Sequence, residues 1–86
     1  MSNAAQVLAF RGVLKSARQG AGYTLADVVD ELATADIEVS LDTVTAWEAG
    51  GQAPQRWERP VVEALENALG VPGVMVEALG WPSAAA

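Results

Sequence analysis

The stretch TLADVVDELATADIEVSLDTVTAWEAG, residues 24–50, decides the fold, because it contains the signals of two helices joined by a turn. Thr24 and Asp27 have the spacing of a capping box, in which a hydroxyl and a carboxylate bond the first amides of a helix. The apolar repeat breaks at Asp36, and Ser40 begins a second helix that a glycine ends. The stretch therefore predicts a helix-turn-helix unit, whose second helix can enter the major groove of DNA.

Further helical segments surround this unit. Val7, Phe10 and Leu14 recur at helical spacing, which indicates an amphipathic first helix. We expect helices over about 4–19, 24–33, 41–49 and 60–69, and a short fifth helix between Gly73 and Gly80. The chain is thus predicted to be all-α, with a disordered start or expression scar, a helix-turn-helix domain and a tail over residues 1–5, 6–80 and 81–86. The inward face of the fourth helix is predicted at Val61, Leu65 and Leu69, with Val62 and Ala68 on its flanks.

The composition excludes several classes of protein. The chain has no cysteine and no histidine, which removes disulfides, zinc-finger ligation and the usual general base at neutral pH. We therefore expect no metal, no cofactor and no enzymatic activity. The hypothesis of a carboxylate-based hydrolase is supported only by the number of Asp and Glu residues. Solvent-exposed helix faces explain these residues better. With no membrane span and no secretory signal, the expected setting is cytoplasmic, bacterial or phage-encoded, and near the nucleoid.

The charge distribution bears directly on any DNA-binding role. The net charge is −6, although affinity for duplex DNA rests largely on neutralising phosphates. No basic residue lies between residues 19 and 55, and the basic side chains of the chain are Arg11, Lys15, Arg18, Arg56 and Arg59. On the first helix, Arg11 and Lys15 could contact phosphate or form an ordinary solvated face.

The segment 51–60 is predicted to be a loop, because glycine and proline punctuate it. It carries Arg56 and Arg59 beside Trp57, a combination that suits a phosphate clamp. Trp57 itself could pack on a sugar or cover the core, and the core interpretation is favoured. Trp81 is either a lid on the core or an exposed contact for a second chain.

Several motifs follow one another in order: LKSAR at 14–18, GYTL at 22–25, VTAWEAG at 44–50, Pro54 and ALENALGV at 64–71. Their order and spacing, over about residues 7–79, resemble the Xre family, the Cro/cI-type helix-turn-helix proteins of phage repressors and many bacterial regulators. The resemblance implies a five-helix bundle of the lambda-repressor-like type that binds double-stranded DNA as a homodimer and regulates transcription. It also implies core positions at Val28, Val44, Trp47, Leu65 and Leu69.

The resemblance further implies roles for individual residues. Arg18 and Glu48 would form a structural ion pair that ties the first helix to the end of the third. The base-facing positions would be Leu41, Asp42, Thr43, Thr45 and Ala46. Phosphates would be met by side chains and helix amides at Arg11, Lys15, Thr24, Leu25, Arg56 and Arg59.

A second hypothesis is that this fold serves as an adaptor that binds another protein. The third helix has no Arg, Lys, Gln or Asn, and the turn before it is longer than the usual three or four residues. The central stretch carries acids instead: Asp27, Asp30, Glu31, Asp36, Glu38, Asp42 and Glu48. An acidic face of this kind can dock on a basic protein partner and repels phosphate.

Overall fold

Five α-helices form the part of the chain that the computed structural model describes, which is residues 4–49 and 51–81, with the backbone alone for residue 56. The elements are α1 (Ala4–Ala21), α2 (Leu25–Thr34), α3 (Leu41–Ala49), a 3₁₀ helix (Arg56–Glu58), α4 (Arg59–Leu69) and α5 (Val74–Ala78). No strand occurs in these residues, so the prediction of an all-α, five-helix fold is confirmed. Gly50, predicted to end the third helix, lies outside the described residues.

The bounds of α1 differ from the predicted organisation of the chain at both ends of the helix. α1 begins at Ala4, inside the predicted disordered start, and it continues past the predicted end to Ala21. Residues 1–3 and 82–86 lie outside the described part. The bounds of the domain and of the tail therefore stay a prediction.

Both helices of the central unit begin with side-chain caps. Thr24 Oγ1 accepts from the amide of Asp27 at 3.1 Å, and the Asp27 carboxylate accepts from the amide of Thr24 at 2.9 Å, which is the predicted capping box. Before α3, Ser40 Oγ accepts from the amide of Thr43 at 3.1 Å. Local hydrogen bonds thus fix where α2 and α3 start.

The turn after α2 contains an unusual backbone at Asp36, whose φ is 62°. The amides of Asp36 and Ile37 donate to the carbonyls of Ala33 and Leu32, at 3.0 and 2.9 Å. This is the Schellman arrangement, with aspartate at the left-handed position that glycine usually takes. The chain then runs without helix to α3, and Ile37 and Val39 pack against the core as their alternation predicts.

Replacing Asp36 with glycine is expected to raise the free energy of unfolding by about 0.5–1 kcal/mol, because glycine adopts the left-handed backbone without crowding a Cβ. Urea denaturation measures the change. Asp36→Asn removes the charge but keeps the Cβ, so this control should differ little from the parent chain. A glycine variant less stable than the parent would contradict the prediction.

The core lies where the helices meet: α1 packs against α3 and α5, α2 against α3 and α4, and α4 against α5. Phe10 and Trp47 meet edge to face with ring centroids 6.0 Å apart, a favourable aromatic arrangement. The buried apolar side chains are Phe10, Leu14, Val28, Leu32, Val44, Trp47, Val62, Leu65, Leu69, Met75, Val76 and Leu79. Val62 takes the core position predicted for Val61, which is only half-buried. Among the described helices, none combines the length and the hydropathy that a membrane span requires.

One carboxylate belongs to this core. Glu66 on α4 is 4% exposed, and its Oε2 accepts from the amides of Met75 and Val76 at 2.8 and 2.9 Å. These amides lie in the first turn of α5, where helix geometry provides no intrahelical partner. Since α5 has only five residues, Glu66 from α4 supplies a cap that α5 does not have within itself.

Candidate nucleic-acid interface

α3 has one face in the core and another in solvent. Val44 and Trp47 are buried, whereas Leu41, Asp42 and Thr45 are exposed. The two remaining residues predicted to face bases, Thr43 and Ala46, are half-buried. The structure therefore places the predicted base-facing residues on or beside the outward face of α3.

The hydroxyls on this face already make local hydrogen bonds. Thr45 Oγ1 donates to the carbonyl of Leu41 at 2.7 Å, and Thr43 Oγ1 lies 2.9 Å from Ser40 Oγ. These contacts orient the hydroxyls and leave lone pairs that can still accept a hydrogen bond. Asp42 and Leu41 complete the face with a carboxylate and an apolar surface that is 48% exposed.

A bidentate ion pair holds the end of α3 against α1. Arg18 Nε donates to Glu48 Oε2 at 2.6 Å, and its Nη2 donates to Oε1 at 2.9 Å. Its remaining amino group, Nη1, donates to the carbonyl of Tyr23 at 2.8 Å. Chiefly through these hydrogen bonds, Glu48 raises the pKa of Arg18 above its ordinary value. Arg18 and Glu48 therefore form the contact that sequence analysis predicts as a structural ion pair.

Arg11 also contacts the end of α3. Its Nη1 donates to the carbonyl of Ala49 at 3.5 Å, where the final carbonyls of a helix carry partial negative charge. Arg11 was predicted to meet phosphate or solvent. Its guanidinium also approaches a carbonyl of the protein itself, and the phosphate contact stays a prediction.

The other basic residues differ in whether they already have a partner within the protein. Arg59 Nε donates to Glu63 Oε2 at 3.0 Å, so it forms an ion pair one turn along α4. Lys15 is exposed, and among the basic side chains that the structure describes it alone makes no ion pair or hydrogen bond. The side chain of Arg56 lies outside the description. Lys15 is therefore the described cation most readily offered to a phosphate.

The start of α2 offers backbone donors. The amide of Leu25 lies in the first turn, where it has no intrahelical partner, and the capping box occupies the side chain of Thr24. The Leu25 side chain packs against the core. Any phosphate contact here would use amides at the positive end of a helix.

Trp57 departs from its prediction. Residues 56–58 form a 3₁₀ helix where a loop is predicted, and Trp57 within it is 79% exposed, so the core interpretation is wrong. Its indole lines a groove of about 920 Å³ that also borders Thr43 and Trp47 of α3. Trp81 also lines this groove and packs against the core, which favours the lid interpretation for that residue.

An acidic surface surrounds the turn between α2 and α3. Asp30, Asp36, Glu38 and Asp42 are exposed, and Glu31 is half-buried. Within the described residues, these carboxylates face no basic partner in an ion pair. The negative charge that the sequence places in this stretch is therefore presented to solvent.

The chain matches a known protein family. A family model described as a helix-turn-helix domain matches residues 9–79, from the second turn of α1 to the residue after α5. No curated protein and no solved structure matches the chain.

Proposed function

The chain belongs to the helix-turn-helix domain family, and from this membership we propose that it is a sequence-specific DNA-binding regulator of transcription of the Xre type. In this proposal α3 lies in the major groove of double-stranded DNA. The protein binds as a homodimer whose copies read half-sites about one helical turn apart. The observation that carries the proposal is the division of α3 into a buried face and an outward face of short side chains.

The outward face has suitable chemistry for base edges. Asp42 can accept a hydrogen bond from a cytosine amino group, and the hydroxyls of Thr43 and Thr45 can bond a base edge or a phosphate. Leu41 and Ala46 provide apolar contact for a thymine methyl group. Because none of these side chains is long, the helix would have to approach the bases closely.

Phosphate contacts are the second part of the proposal. Lys15 and the amides at the start of α2 are the described groups most available to phosphate. The sequence adds Arg56 to them. Arg11 and Arg59 can join them only by sharing or giving up the contacts to Ala49 and Glu63. We therefore expect few phosphate contacts and a shallow dependence of affinity on salt.

Fluorescence anisotropy with a labelled, mixed-sequence duplex pool across a salt series tests the proposal. We expect log K to fall linearly with log salt, with a slope of about −0.9 for each phosphate contact. Selection from the same pool would then recover a preferred sequence. Absence of binding at the lowest salt would refute the proposal.

Replacing Lys15 with glutamine is expected to make that slope shallower by about 0.9, because one counterion fewer is released on binding. Anisotropy titrations at several salt concentrations measure the slope. The matched control is Ser16→Ala, which changes an exposed, uncharged side chain of the same helix. A slope that stays unchanged in Lys15→Gln would remove this residue from the interface.

The acidic surface favours a second candidate function, an adaptor that binds a basic protein through α2, the turn and α3. Like charge around the outward face of α3 opposes DNA and suits a positively charged partner. Pull-down from a lysate with the parent chain and with an Asp42→Ala, Glu38→Ala double variant tests this function. The adaptor function requires that the parent chain retains a partner protein and that the double variant loses it. It also requires that the parent chain does not bind duplex DNA at low salt.

A further inference from the structure

The groove beside α3 brings together tryptophans from distant parts of the chain. All three tryptophans of the protein, Trp47, Trp57 and Trp81, line this groove of about 920 Å³. Trp47 is buried, whereas Trp81 is half-buried and Trp57 is 79% exposed, so indole surface of the last two is open to solvent. Sites for small molecules in proteins have volumes of about 300–1,000 Å³. The groove is therefore large enough for a small molecule that packs on indole rings.

The charge of the groove is negative. Glu58 is the one charged residue among the described residues that line it, and the other polar side chains there are those of Gln6, Thr43, Gln52 and Gln55. Glu58 Oε1 accepts from the amide of Gln55 at 2.8 Å. Within the described residues, the second oxygen of this carboxylate, Oε2, makes no hydrogen bond or ion pair. The groove thus presents a carboxylate with no basic partner beside aromatic rings.

Aromatic rings beside a carboxylate suit an organic cation. The face of an indole carries the negative part of the ring quadrupole, so it attracts a positive charge placed over it. A quaternary ammonium group has no N–H to donate, and aromatic faces are its characteristic partners in proteins. An anion in the same place would face the Glu58 carboxylate, with no cation among the described lining residues. The chemistry of the groove therefore favours a cationic ligand over an anionic one.

We propose that this groove is a binding site for a small quaternary ammonium compound, with the ammonium group on the indole of Trp57 and near the Glu58 carboxylate. Both partners come from one turn of 3₁₀ helix, which keeps them close together. The rest of the ligand lies along the groove, where the amide side chains of Gln52 and Gln55 can bond a hydroxyl or carbonyl oxygen. Binding requires no duplex DNA, so the site stands independently of the proposed function.

Choline tests the proposal, and 3,3-dimethylbutan-1-ol, in which carbon replaces the nitrogen, is its neutral control. Titrations followed by amide and indole signals in ¹⁵N–¹H NMR spectra give the Kd of each compound. We expect choline to bind about tenfold more tightly than the alcohol, because both the ring faces and the carboxylate act on the charge. Trp57→Leu keeps an apolar side chain without a ring and should weaken choline binding about tenfold, and Trp57→Phe should recover part of it. Thermal unfolding should be unchanged in both variants, because the indole is exposed.

Glu58→Gln tests the carboxylate, since it removes the charge and keeps an oxygen that can accept from the amide of Gln55. We expect choline binding to weaken about three- to tenfold and binding of the neutral alcohol to stay the same. Glu77→Gln, which removes an exposed carboxylate of α5 that does not line the groove, is the matched control for the general attraction of an acidic protein.

Three results would overturn the inference: equal affinity for choline and the neutral alcohol, equal losses in Glu58→Gln and Glu77→Gln, or a Trp57 indole signal that choline does not move. That signal is the one absent from the spectrum of Trp57→Leu. None of these results bears on the duplex titrations, so the proposed function would remain intact. Conversely, absence of duplex binding would leave the choline site standing.

Discussion

Replacing Glu66 with alanine is expected to lower the free energy of unfolding by about 3 kcal/mol. The substitution leaves the buried amides of Met75 and Val76 without an acceptor, and an unsatisfied buried donor costs roughly 1–3 kcal/mol. It also leaves a void beside the core. For a domain of this size, the loss corresponds to a fall in Tm of roughly 12–24 °C, which circular dichroism on heating measures.

Two further variants identify the cause of that loss. Glu66→Gln keeps an oxygen that can accept from both amides, so it should cost less, about 1–2 kcal/mol. Glu77→Ala removes an exposed carboxylate from α5 itself and should change stability by less than about 0.5 kcal/mol. If Glu66→Ala were no less stable than Glu77→Ala, the carboxylate would not be the cap of α5.

Replacing Arg18 with methionine is expected to cost about 3 kcal/mol, because it leaves the Glu48 carboxylate poorly compensated in a largely buried position. The side chains of Arg18 and Glu48 are 16% and 10% exposed, so water can replace little of the lost interaction. The carbonyl of Tyr23 loses its donor as well. Urea denaturation measures the cost, and Lys15→Met on the same helix is the matched control.

A double-mutant cycle separates the pair from its surroundings. Replacing both partners, as in Arg18→Met with Glu48→Leu, removes the stranded charge, so the double variant should cost less than the sum of the single ones by roughly 2 kcal/mol. Strictly additive costs would show that the two side chains do not act as a unit.

Much of the fold follows from local signals in the sequence. The Thr24–Asp27 capping box, the break at Asp36 and the start of α3 all act through hydrogen bonds within a few residues, so sequence spacing reveals them. The apolar stripes likewise predict most of the core. On α4, Leu65 and Leu69 are buried as predicted, but the first core position is Val62 rather than Val61. Both residues are apolar, so only tertiary packing decides between them.

The capping role of Glu66 was not predicted, although its position in the sequence indicates a buried carboxylate. Val62, Leu65, Glu66 and Leu69 occupy the spacing of one apolar helix face, so a carboxylate stands where a hydrophobic residue is expected. A charge at such a position needs partners within the protein. The partners themselves could not be predicted, because they are amides of α5 that the fold alone brings near.

The candidate interface was predictable in outline and less so in detail. Helical periodicity separates the outward face of α3 from Val44 and Trp47. It does not reveal that Arg11 and Arg59 reach acceptors within the protein, since both side chains are long and have several possible partners. Trp57 was assigned to the core from the average behaviour of tryptophan, whereas the 3₁₀ helix directs it outward.

Under the proposed function, the internal use of arginine has a kinetic consequence for how the protein finds its site on DNA. Sliding along random sequence depends on non-specific attraction to phosphates, and here most described cations are already bonded within the fold. Each encounter with unrelated DNA is therefore short, and little protein is held by the vast excess of competing sequence. Such a regulator would locate its operator by repeated collisions from solution rather than by travelling along the duplex, and its occupancy there would respond quickly to its own concentration.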